Sequence, residues 1–119
     1  MKQSQIIAAY NIINKLSDQK INLNTAFQIY KLKNKLKEYY DFQFAEEQKM
    51  LASRGATISD GSIHFPNQDD ANDFVSEMRK MGEIEHDIAI TPIDLSCSEN
   101  IELSIREIEQ LDGFIHITE

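Results

Sequence analysis

From Thr25 to Ser53 the chain contains neither proline nor glycine, and Ile29, Leu32, Leu36, Tyr40, Phe44 and Leu51 recur along it, mostly at steps of three or four. That is helical periodicity. At 1.5 Å rise per residue the stretch spans about 40 Å, more than a domain of this size needs to close a core. The long helix is therefore expected to have something further packed along it.

The residues before it predict a partner. Ile6, Ala9, Tyr10, Ile13 and Leu16 mark one face of a first helix over Gln3 to Ser17. Ile21-Asn22-Leu23-Asn24 breaks the period, and Asn22 or Asn24 can cap the next helix with its side-chain oxygen. So short a connection folds two helices back as an antiparallel hairpin.

After Arg54, Gly55 stands where a helix C-cap belongs. Asp60-Gly61 between Thr57-Ile58-Ser59 and Ser62-Ile63-His64 is a strong hairpin signal, since both turn residues tolerate positive φ. A third helix is expected from Asn67 to Gly82. Its early Asp69, Asp70 and Asp73 and late Arg79 and Lys80 all suit the helix dipole, with Ala71, Phe74, Val75, Met78 and Met81 as the buried face.

Alternation from Ile84 to Ile90 predicts a half-buried strand, interrupted at Pro92 and resumed at Ile93 to Ser96. Ser104 and Glu107 form a capping box for a short helix carrying Ile105, Ile108 and Leu111. Phe114 to Thr118 alternates again and is expected to pair with the Ile84 strand. These elements make one α+β domain over residues 1–119. A helical hairpin fills 1–54, and a β-hairpin, helix, strand, short helix and strand fill 55–119, with a small antiparallel sheet.

Charge divides unevenly. Residues 1–50 carry eight lysines against five acids; residues 51–119 carry four basic residues against fifteen acids, and the whole chain has a net charge of -8. Either the halves complement each other within or between subunits, or the acidic part faces a basic partner. Lys31, Lys33, Lys35 and Lys37 alternate around the helix instead of forming one basic strip, so direct nucleic-acid binding is not expected. The longest apolar run, Ile6 to Tyr10, is too short to cross a membrane, and the chain is expected in the cytoplasm.

Candidate chemistry is sparse. Asn67, Asp69 and Asp73 invite a calcium loop, but its sixth position is Asn72 and its twelfth Met78, where an EF-hand needs Gly and Glu. Helix capping explains those acids. The lone Cys97 excludes an internal disulfide and reads as a small half-buried hydrophobe. His64, His86 and His116 fall in separate predicted strands without zinc spacing, and no GxSxG, HExxH or CxxC occurs. No cofactor or metal is expected, and the chain reads as a non-enzyme. The aromatic middle of the long helix, with Tyr30, Tyr39, Tyr40, Phe42 and Phe44, is too wide to hide against one partner helix. Tyr30, Tyr39 and Phe42 are thus candidates for a partner or self-association surface.

In the order of these features the chain resembles a group of small proteins from tailed bacteriophages of Gram-positive and gut bacteria. The stretches concerned are Ala9 to Leu16, Ile21 to Ala26, Phe44 to Leu51, Asn72 to Met81 and Ile108 to Ile115. The group has no assigned catalytic residues. The resemblance implies an accessory or morphogenesis product, in the virion or in the cytoplasm of an infected host. The expectation is a non-enzymatic virion component or assembly factor that binds copies of itself or another phage or host protein. The alternative is an acidic inhibitor of a host defence nuclease, in which acids from the Asp69 to Asp112 region, Asp69, Asp70 and Asp73 among them, imitate phosphate charge in a basic nucleic-acid channel.

Overall fold

The structure, a computed structural model, describes residues 1–118. Helix α1 (Gln3–Lys15) ends in a single 3-10 turn (Leu16–Asp18), and α2 runs from Leu23 to Ser53. They are followed by strands β1 (Thr57–Ser59) and β2 (Ser62–His64), helix α3 (Gln68–Gly82), strand β3 (Ile93–Ser96), helix α4 (Ile105–Gln110) and strand β4 (Ile115–Thr118).

The helical hairpin is antiparallel, with Gln3 beside Tyr39 and Gln43 at one end and Ser17 bonded to Lys33 at the other. Asn22 is the cap, its side chain accepting from the Thr25 N–H at 3.0 Å. At the start of α1 Lys2 has no side-chain acceptor. Only the return half of a capping box forms there, Gln5 Oε1 accepting the Lys2 N–H at 2.8 Å.

All five predicted apolar positions of α1 are buried, and so is Ile12. The helix is covered on more than one side, touching α2, α3 and α4. Around it Ile29, Leu32 and Leu36 of α2, Ile93 and Leu95 of β3, and Leu111 and Phe114 complete the core. Tyr10 stacks on Tyr40 at 4.4 Å between ring centroids.

The C-terminal strands differ from the expectation. Residues 84 to 90 form no strand and do not pair with the C-terminal segment. Instead the Gln3 N–H donates to the Ile84 carbonyl and the His86 N–H to the Met1 carbonyl, both at 2.8 Å. That bridge cannot extend, because the chain enters α1 at Gln3. β4 pairs with β3, and in parallel, with Ile93 opposite Ile115 and Leu95 opposite Ile117. The α4 crossover returns the chain in the same direction, which a parallel pair requires. Among the described residues the fold therefore holds two separate two-stranded sheets, of which β1–β2 is antiparallel. Its turn uses positive φ at Asp60 and Gly61, as the dipeptide predicts.

Two helices are less buried than their patterns imply. In α3 only Met81 of the expected face is fully buried, and Val75 is exposed. Phe74 is covered by Phe65 of the ribbon, at 5.4 Å between centroids. In α4, Ile105 faces solvent and Leu111, just past the helix, is the anchor.

The capping box of α4 is complete. Ser104 accepts the Glu107 N–H at 3.1 Å and Glu107 accepts the Ser104 N–H at 2.9 Å. Replacing Ser104 by Ala is expected to cost about 1 kcal/mol in urea unfolding. The Ser104 N–H, and then the Lys15 ammonium, hold the Glu107 carboxyl below its usual range. A depressed carboxyl stabilises the fold above its unfolded pKa and stops doing so as pH falls through the folded one. The stability gap between wild type and Glu107→Gln should accordingly be present near neutral pH and close in acid.

Candidate interaction surface

In the first half of α2 the buried residues Thr25, Ile29, Leu32 and Leu36 define one helical face. At 100° per residue, Leu23, Phe27 and Tyr30 fall on the opposite face. They are 86%, 52% and 58% exposed. Phe27 and Tyr30 stack at 6.3 Å, and the Lys31 ammonium lies 4.6 Å from the centroid of the Phe27 ring. The spacing i, i+4, i+7 makes them a continuous apolar ridge, the arrangement by which an amphipathic helix enters a groove.

Further along, α2 outruns α1, and α3 covers one side of it. Phe42, Met50, Met81 and Ile84 line an open groove of about 300 Å³ between the two helices, with Glu46 and Glu77 at its edge. Phe42 is 49% and Ile84 43% exposed. Phe44 points away from α3 and is exposed, although its spacing put it among the core residues.

The predicted partner residues therefore separate. Tyr30 joins the ridge and Phe42 the groove, whereas Tyr39 turns inward and packs edge-on against the His86 ring at 4.7 Å. That contact belongs to a half-buried knot around the buried Gln3. Its side chain donates to the Tyr39 carbonyl and to Gln43 Oε1, both at 3.1 Å, and its own oxygen lies 2.7 Å from His86 Nε2. With the amide so oriented its oxygen can only accept, and His86 Nε2 carries the proton. Gln3 is a polar residue on the core side of α1, a position at which apolar periodicity gives no signal.

Asp69 and Asp70 stand in the first turn of α3, where Asn67 accepts the Asp70 N–H at 2.9 Å. Asp73 is bound by Arg54, through Nε at 2.9 Å and Nη2 at 2.6 Å. Helix capping and an internal ion pair account for this cluster. The charge asymmetry also closes partly within the chain, as Lys2 meets Glu83 at 2.8 Å and Lys15 meets Glu107 at 3.0 Å.

The histidines do not converge. His64 lies on the exposed β2, His86 on Gln3, and His116 beside its cross-strand neighbour Asp94 at 3.2 Å. Cys97 is exposed, not half-buried, since it begins the turn that follows β3. Among the described residues no group of three or more His, Cys, Asp or Glu is placed to hold a metal ion. Nor among them is any helix long and apolar enough to cross a membrane.

These features define an α+β domain with exposed apolar side chains along its long helix, at Leu23, Phe27, Tyr30, Phe42 and Phe44, and others on β1, β2, α3, α4 and β4. Compared with family models, curated proteins and solved structures, the chain gives no match.

Proposed function

We propose that this chain is a non-enzymatic bacteriophage protein, a small virion component or assembly factor, that works by docking the outward face of α2 on other proteins. The observation that supports this is the Leu23–Phe27–Tyr30 ridge. Three large apolar side chains stand in solvent opposite the core, at a spacing that matches a protein groove. Exposed aromatics of this kind are the residues that anchor interfaces. The resemblance to small phage proteins supplies the setting, in the host cytoplasm or in the particle.

The nuclease-inhibitor alternative has less support, since Asp73 is bound by Arg54 and Asp69 and Asp70 complement the α3 dipole. Mass spectrometry of particles and assembly intermediates from infected cells tests the proposal. The chain should be present at a fixed ratio to a structural protein, and Phe27→Asp should reduce that ratio at least tenfold. Absence from every particle and intermediate would remove the reading. Reversing Asp69, Asp70 and Asp73 should leave the ratio unchanged.

A further inference from the structure

We infer that the protein assembles head to tail, the Leu23–Phe27–Tyr30 ridge of one copy seating in the α2–α3 groove of the next. This rests on the docking role proposed above and names its partner as a second copy of the chain. The ridge holds three large apolar side chains in solvent over about 10 Å of its helix, while the groove is an open hollow of about 300 Å³ whose lining includes Phe42, Met50, Met81 and Ile84.

The two surfaces match in charge. Lys20 precedes the ridge and Lys31 flanks it, whereas the groove is lined by two acids, Glu46 and Glu77, against one base, Lys80. The two glutamates are tied only to Lys49 and Lys80, in exposed i, i+3 pairs at 3.2 and 3.3 Å. Such pairs are weak and exchange readily for an incoming lysine.

The two surfaces cannot meet within one molecule. Phe27 and Phe42 sit on the same unbroken helix, about 23 Å apart along its axis. If ridge and groove bury each other, they do so between copies, through two different patches. Such a heterologous contact leaves one ridge and one groove free at the ends, and it builds a ring or an open row of subunits.

Complementation of single variants tests this. Phe27→Asp blocks only the ridge and Phe42→Asp only the groove. Both positions are about half exposed, and Leu23→Asp, at a more exposed ridge position, serves as a second ridge variant. In sedimentation velocity, wild type should grow in size with concentration. Each variant alone should be monomeric at concentrations at least tenfold above the wild-type midpoint. An equimolar mixture of a ridge variant and Phe42→Asp retains one intact junction and should give a two-chain complex that grows no further. A monomeric wild type overturns the inference, as does a Phe42→Asp variant that associates like wild type, which would indicate symmetric packing of α2 on α2. So does a mixture that stays monomeric. Any of these with the chain still incorporated into particles would refute self-assembly while leaving the docking role intact.

Discussion

Phe114→Ala is expected to destabilise the protein by about 3 to 5 kcal/mol, lowering its melting temperature by roughly 10 to 20 °C. Phe114 is the largest fully buried side chain, 1% exposed, although it lies four residues from the last described position. It packs in the same cluster as Ile6 and Ile13 of α1 and Leu36 of α2. Deleting the ring opens a cavity that surrounding helices cannot close without shifting. The C-terminal segment would then be a main element of the core and not an appendage. Urea unfolding followed by helical circular dichroism and by tyrosine fluorescence should show one coincident transition, moved by the same amount in both signals. A loss below about 1 kcal/mol would mean that residues 93–118 fold apart from the hairpin. Ile105→Ala, by contrast, removes an exposed side chain and should change stability by less than about 0.5 kcal/mol.

The second large effect is expected at Gln3. Gln3→Met keeps the volume but removes the acceptor for His86 and the donor for Tyr39 and Gln43, and it should cost about 2 to 4 kcal/mol. Most of the loss comes from a half-buried imidazole N–H and the Tyr39 carbonyl left without their partner. Adding His86→Phe removes the first of these and should recover part of the loss, so the double variant is less destabilised than the two single changes added together. Additive costs would show that Gln3 and His86 contribute independently.

Much of the fold was legible because its signals are local. The proline- and glycine-free run, Asn22, the Asp60-Gly61 turn, Asn67 and the Ser104–Glu107 box each act over a few residues, and each sits where its chemistry predicts. The pairing of the C-terminal strand was not legible. Ile84 to Ile90 and Ile93 to Ser96 both present extended apolar patterns, and the choice between them depends on Met1 and Gln3 taking the backbone groups of Ile84 and His86. That is a tertiary competition with no trace in spacing.

The candidate surface was legible only in part. Tyr30, Tyr39 and Phe42 stood out by composition. Which of them faces outward depends on where α1 and α3 cover α2, and this turned Tyr39 inward while leaving Leu23 and Phe27, which composition did not single out, in solvent. The 100° step between residues already places both opposite Ile29 and Leu32, so helical phase is the signal that finds them.

The central claim, that the outward face of α2 carries protein contacts between copies, is tested most directly by the mass of the purified protein in solution. Light scattering over a wide concentration range should show a mass rising well above the 13.7 kDa of one chain. The rise should persist at high salt, because apolar burial dominates the contact, and Phe27→Asp should abolish it. A mass fixed at one chain under every condition, or a rise that Phe27→Asp leaves unchanged, would contradict the claim.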